Sequence, residues 1–546
     1  MIDPGSFPIE WFSLLLYAET HYRFRYFFSS LKKAEPEVIA DAPFRVEPGN
    51  TIPLLLLAKD AEKYPATLVR VAATIRGSGQ ERRLKLLRNP VVLNKKWWWK
   101  VIEIDATPLH GWIDLDVEFD LSGPDGVRTY RNDNHRTSSH KPLRVFVADH
   151  ALPRLKNMHY GDLHSHSQYT EDQVEFGAPL EASLVLSRSL GLSFFAVTDH
   201  SYDLDDRVDD YLHNDPALPK WKALQQEVEV LNKRFRGFSI VRGEEVSCRN
   251  HSGRNVHMIL LGVKDYAPGS GDSAERWFYT RSEHSLSDIL LKKAPGTHAF
   301  AAHPVEDVPF LQKVLLRRGN WQDSDIHWAH LAGVQFANGS QSGFQRGIAQ
   351  WISALLNGHR LVALAGNDAH GNFNRFRQLR IPFIAIGESH EHRFGEMRTA
   401  VILASRVTER GTLEAIGSGR CVITNGPIAM LAARSDMGAA GLVGSSVAGS
   451  EFEVSIEAKS TPEFGNLEQV VLWRGTIGSR KEDCILETGS TGYSFSQQLQ
   501  IKMKNSGYIR LELRTSAAND FSRTPHFCLT NPIWINHPIV KQKSPR

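Results

Sequence analysis

Between residues 158 and 370 the chain repeats one pattern: a short apolar run closed by histidine, aspartate or glutamate. Phe194-Phe195-Ala196-Val197 leads into Thr198-Asp199-His200, and Ile240-Val241 into Gly243-Glu244-Glu245-Val246. Ala299-Phe300-Ala301-Ala302 precedes His303-Pro304. Leu361-Val362-Ala363-Leu364-Ala365 precedes Gly366-Asn367-Asp368-Ala369-His370. His257 is the exception, because it opens its run instead of closing it. The series begins with Tyr160-Gly161-Asp162-Leu163-His164-Ser165-His166, where two histidines two apart at a strand end can turn both rings toward one cation. A lone His-x-His says little; the ordered series is what constrains the chain.

The runs have strand length, and amphipathic stretches at 179–190, 221–235, 286–293, 310–317, 344–356 and 413–418 read as helices between them. About seven such β/α units predict a parallel barrel, whose active residues gather at the C-terminal strand ends. Histidine is concentrated in the same region: of 23 in the chain, 16 lie between Met158 and Arg393. Imidazole is the commonest metal ligand, so the count and the pattern point the same way.

His164-Ser165-His166, Thr198-Asp199-His200, Gly243-Glu244-Glu245-Val246, His257, His303-Pro304 and Asp368-Ala369-His370 occur in the order found in the polymerase and histidinol phosphatase (PHP) superfamily of metal-dependent hydrolases, which this chain resembles. The opening Gly161-Asp162-Leu163-His164 and the late Gly419-Arg420-Cys421-Val422-Ile423-Thr424-Asn425-Gly426-Pro427 look like its carbaryl-hydrolase-type branch. The resemblance covers about the middle half of the chain. It implies an α/β fold, a distorted seven-stranded (β/α) barrel at 151–435; the period-two alternation of the flanks adds β-sandwich-like domains at 1–150, with a helix at its start, and at 436–546.

The resemblance also implies two or three divalent ions. His164, His166, Glu245 and Asp368 would hold the first, and Glu245, His257 and His303 the second, with Glu245 bridging. His200 and His370 would hold a third, helped by Glu171 or Asp172, where the family often has histidine or aspartate. With nitrogen and oxygen donors, zinc, manganese and iron all fit. Glu244 adjoins Glu245 and should face the other way on a continuing strand. Asp199 either accepts a hydrogen bond from a liganding imidazole or caps the loop beside it. His251 and His298 fall outside the family pattern and are read as ordinary histidines, and Cys248 as a buried thiol. Asn338, Arg249 and Arg254 are candidate substrate contacts, with a surface role equally open to the two arginines.

The flanks read differently. Residues 9–33 read as a helix with aromatic and basic residues, expected to pack on its own domain in preference to anchoring a membrane or partner. Ile113, Leu115, Val117, Phe119 and Leu121 alternate with charged residues, as a half-buried strand does. Phe452, Val454 and Ile456 repeat that alternation, and so does Tyr508-Ile509-Arg510-Leu511-Glu512-Leu513-Arg514. Lys95-Lys96-Trp97-Trp98-Trp99-Lys100 is read as a strand with buried indoles, because a net charge of +3 gives no wider basic surface for nucleic acid. The connection at 264–293 carries Arg276, Trp277, Phe278, Tyr279 and Arg281. It reads equally as a specificity lid or as an anchor. Four cysteines without a Cys-x-x-Cys pair indicate no thiolate zinc site, and no signal peptide or membrane span is recognisable, so a cytoplasmic protein is expected.

These features predict a metal-dependent hydrolase acting on a small ester or phosphoester, with two ions lowering the pKa of a shared water. A phosphoesterase comes first and a carboxylic or carbamic ester hydrolase second. A non-catalytic binding or scaffold protein is the third possibility.

Overall fold

The computed structural model describes residues 35–537 apart from 136–139, 172–176, 211–212, 271–279, 309, 376–377, 382–383, 388–391 and 517–524. The expected helix at 9–33, Asp172 and most of the lid cluster, including Trp277, lie outside the described residues.

Strand dominates. The described residues form 33 strands and eight helices, two of the helices being single turns at Ser201–Leu204 and Asp323–Ile326. This corrects the expected α/β architecture of a (β/α) barrel between two separate sandwiches. The middle strands are not a parallel series. Ser239–Arg249 and Asn255–Leu261 form an antiparallel hairpin, and His298–Ala302 pairs antiparallel with its second strand. The five-residue connection of that hairpin leaves no room for the helix a parallel crossover needs. Met158–Asp162 also pairs antiparallel with Arg398–Ile402. Beyond that strand the sheet continues through Cys421–Thr424 and Phe527–Thr530 into Gly507–Thr515 and Leu467–Thr476, making one 15-stranded sheet.

The sheet curls, bringing Leu163, Phe194, Val241, Ile259, Phe300, Leu364 and Val401 into one core. Its end strand Val362–Ala365 is tied back by side chains. Thr399 Oγ1 accepts from Ala365 N and donates to Ala365 O, both at 2.9 Å, and Asn531 Oδ1 accepts from Ala363 N at 2.7 Å. Two side chains thus cover an edge that would otherwise expose unpaired backbone groups.

The N-terminal unit is a three-stranded sheet facing a seven-stranded one across its own core, which includes Leu54, Leu56, Val71, Leu115 and Phe119. The alternation at 113–121 holds. Asp116, on the outer face, is nonetheless buried, covered by Arg76 Nη1 (2.5 Å) and Arg131 Nη2 (2.6 Å). Trp97–Ile104 is a strand with half-buried indoles: Trp98 packs on the N-terminal core, Trp97 and Trp99 on the central one. In the C-terminal region Phe452, Val454 and Ile456 are buried as the alternation requires. Tyr508 to Leu511 are all buried because that strand lies inside the structure, where Glu482 pairs with Arg510 at 2.6 Å. Among the described residues no helix is long and apolar enough to cross a membrane.

His526 gives this region a testable acid sensitivity. It is 5% exposed and lies edge-on to Phe464, at 5.0 Å between centroids. Burial, reinforced by nearby Arg398, pushes its pKa down to about 4. An unfolded histidine titrates near ~6.5, so below that pH the unfolded chain binds a proton that the folded chain refuses. The contribution of His526 to stability is therefore complete above ~6.5 and lost as pH falls toward 4, at up to ~1.4 kcal/mol per pH unit. His526→Phe should flatten the acid limb of urea-unfolding free energy by about one proton. An unchanged slope would place the titration elsewhere.

Candidate metal centre

The site is assembled at strand ends by close backbone approaches. Ser165–His166 pairs parallel with Ala369–His370, setting His166 opposite His370 with their rings stacked at 4.0 Å. A side chain at Gly366 would meet His164 N at 2.5 Å, so that approach requires glycine. In the central hairpin Ser247 lies opposite His257, which makes Glu245 a diagonal neighbour of His257 on one face. His200 forms a single bridge with Glu245. His303 and Asp368 adopt left-handed backbone, φ 27° and 54°. Strain of this kind persists only where the surroundings enforce it. Here His303 N donates to Gln335 Oε1 at 3.0 Å and Asp368 N to His164 O at 2.8 Å.

Eight of the expected ligands converge. Glu245 Oε2 lies 3.3 Å from His164 Nε2, 3.4 Å from His166 Nε2 and 3.1 Å from His200 Nδ1. Glu245 Oε1 lies 2.8 Å from His257 Nδ1 and 3.1 Å from His303 Nε2. Asp368 Oδ1 lies 3.2 Å from His164 Nε2 and 3.1 Å from His166 Nε2. These residues form three overlapping groups that could hold metal ions: His164, His166, Glu245 and Asp368; Glu245, His257 and His303; and His166, His200 and His370. Glu245 belongs to the first two groups.

The chemistry of the donor set suits cations. Both ring nitrogens of His164, both of His200, and Glu245 Oε2 are buried and make no well-aligned hydrogen bond, close as His164 Nε2 and His200 Nδ1 stand to Glu245 Oε2. Such atoms are costly to bury unless something coordinates them. Burial would raise Glu245, but His257 and His164 hold its carboxyl well below the ordinary range. Burial would likewise lower His166, but Asp368 and Glu245 push it up to about 10. His370 is driven well below its ordinary value, by burial first and then by His166.

The neighbouring candidates separate cleanly. Burial pushes Glu244 up to about 8, and it faces away from the cluster, accepting from Trp221 Nε1 at 2.7 Å and Ala267 N at 3.0 Å. Asp199 does not touch a liganding ring nitrogen. It caps the loop after His166, accepting from Ser167 N (2.6 Å), Ser167 Oγ (2.7 Å) and Thr170 N (3.2 Å). Glu171 stands outside the three groups, with Oε2 2.9 Å from Lys96 Nζ. Arg249 and Arg254 bond the backbone carbonyls of Glu283 and Lys313. Asn338 donates to Glu306. His251 and His298 lie outside the groups, and Cys248 is a buried thiol.

Three residues of the site escaped the sequence reading. Arg318 Nη2 lies 3.1 Å from His257 Nε2. Thr170 Oγ1 lies 3.2 Å from His166 Nδ1. Asp162 is buried and accepts from the backbone N–H of His164, Asn367 and Gly395, at 3.1, 3.0 and 2.9 Å. Only Asp162 carried a signal, its place in the motif ending at His164.

No family model matches the chain, and no curated protein matches it. Among solved structures it is similar to trypsin-activated α-2-macroglobulin from Escherichia coli, at 11% identity over 95% of this chain and 25% of that chain, with a TM-score of 0.15. It is also similar to a β-glucuronidase from Parabacteroides merdae, at 10% identity over 93% of this chain and 65% of that chain, with a TM-score of 0.17. The chain thus spans a quarter of the macroglobulin and less than two thirds of the glucuronidase. Likeness at these scores carries no argument about function.

Proposed function

We propose that this chain is a metal-dependent hydrolase of PHP type, acting on a phosphoester. The observation that carries the reading is Glu245, one buried carboxylate shared by two adjoining donor groups. Divalent ions held there, whether zinc, manganese or iron, would lower the pKa of a shared water and take up negative charge on the substrate oxygens. His164, His166 and His200 on one side, and His257 and His303 on the other, fix the two carboxylate oxygens of Glu245 in position, and Asp368 meets His164 and His166. Asp162 and Asp199 bond backbone N–H groups around His164 and His166, which holds those imidazoles in orientation.

Arg318 favours a phosphoester over a neutral ester. It is half-buried and reaches the cluster at His257, and a guanidinium there can pair with a phosphate in two-point fashion. Activity should appear on p-nitrophenyl phosphate or a phosphodiester with added manganese or zinc and vanish with a chelator. Turnover of p-nitrophenyl acetate alone would favour a carboxylic or carbamic ester hydrolase. Metal content below one ion per chain would favour a binding protein. Arg318→Ala should raise KM for the phosphorylated substrate by roughly tenfold or more, as loss of a charged hydrogen bond does. The acetate reaction should change little. Equal effects on both would remove Arg318 from anion recognition.

A further inference from the structure

The group formed by His166, His200 and His370 differs from the other two in containing no carboxylate. His166 also belongs to the first group, so a cation here would depend on how His200 and His370 are oriented, and what fixes the surrounding loops decides how well it binds. Both loops are held from the N-terminal β-unit. Asp41, 1% exposed at the end of Glu37–Asp41, accepts the backbone N–H groups of Phe373, Asn374 and Arg375, each at 3.0 Å. Those residues begin three positions after His370. Lys96, just before the strand Trp97–Ile104, places Nζ 2.9 Å from Glu171 Oε2 and donates to Val208 O at 2.7 Å. Glu171 follows Thr170, whose hydroxyl stands 3.2 Å from His166 Nδ1.

We infer that the N-terminal β-unit governs the third cation position: Asp41 holds His370 within reach of it, and Lys96 withholds the Glu171 carboxylate from it. This rests on the metal reading above. Asp41 and Lys96 are positioning residues with opposite signs. Without Asp41 the 371–375 loop loses its shared acceptor and His370 its orientation, so affinity falls. Without Lys96 an ammonium that repels a cation is removed and an anionic donor is released, so affinity rises.

The test uses the full chain, stripped of metal and titrated with Mn²⁺, read by calorimetry and by the electron paramagnetic resonance of free Mn²⁺. Two equivalents should bind more tightly than a third. Asp41→Ala should weaken the third by ~10–100-fold, the usual cost of losing an outer partner of a ligand. Asp41→Asn, which keeps one carbonyl acceptor, should lose less. Lys96→Met should tighten the third by roughly tenfold, the scale of one nearby charge at the protein surface. The two tighter equivalents should stay put in all three variants. A third equivalent unmoved in Asp41→Ala and Lys96→Met, or moved the same way in both, overturns the inference. If Asp41→Ala does not fold, Lys96→Met decides alone. A parent chain that binds no Mn²⁺ sinks the metal reading itself, and this inference with it.

Discussion

Glu245→Gln should abolish hydrolysis and strip metal from the chain, while Glu244→Gln should leave both largely intact. The two residues are neighbours, both fully buried, and chemically identical. Their surroundings make them opposites. Glu245 faces five histidines within 3.4 Å, which hold it ionised. Glutamine there replaces one anionic oxygen with an N–H₂ that cannot ligate a cation and would point donors at imidazole nitrogens. Two donor groups fail together, so the loss should exceed the ~10–100-fold that removing an outer partner of a ligand costs. Glu244 is lifted to about 8 by burial and accepts from neutral donors, so near neutral pH it is close to an uncharged group already. Glutamine keeps its shape and one acceptor, and the expected cost is confined to ~1 kcal/mol of stability. Metal per chain and kcat, measured on both variants beside the parent, give the answer. Comparable losses would mean that Glu245 is structural and the shared-carboxylate reading is wrong.

Those two residues show what sequence pattern carries and where it stops. Adjacent positions on one strand face opposite ways, so choosing Glu245 over Glu244 needed only the alternation of side chains and the family order. The other residues of the cluster were legible for a similar reason, since strand ends put histidine and aspartate where strands converge. Glu171 was not. Its fate depends on Lys96, 75 positions earlier in the N-terminal unit, and no local pattern reports such a partner. Arg318 was hidden in the same way: its sequence neighbours are surface groups, and only the fold brings it to His257. The architecture was misread through the same gap. Apolar runs alternating with amphipathic stretches fit β/α units, but pairing direction is not written in hydrophobicity. The short turn at 250–254 was the available clue that Glu245 and His257 sit on a hairpin. The joining of C-terminal strands to the central sheet through Cys421–Thr424 left no local mark at all.

Arg45→Met should destabilise the whole chain by ~3–5 kcal/mol, the range for leaving a buried charge without its partner. Arg45 lies on a two-residue strand of the N-terminal unit, fully buried. Its Nη2 lies 2.7 Å from Glu463 Oε1 and its Nε donates to Glu463 Oε2 at 3.2 Å, so the pair is two-pronged. Nη1 meets Glu47 at 2.6 Å, and Nη2 also donates to His150 O at 2.8 Å. One guanidinium thus joins the N-terminal unit to the turn between Glu451–Lys459 and Leu467–Thr476. Burial raises Glu463 even with Arg45 against it, so desolvation outweighs attraction at that carboxyl. The pair is therefore not a source of surplus stability; its weight lies in what remains when half is removed. That distinction is measurable. Arg45→Met alone takes the guanidinium away from Glu463 and Glu47, whereas Arg45→Met with Glu463→Leu removes charge from both sides and should recover most of the loss. Urea unfolding of the two single variants and the double variant closes the cycle. A double variant no better than the worse single one would show that the arginine acts by packing against Phe464, 5.9 Å from its ring centroid, and not by charge.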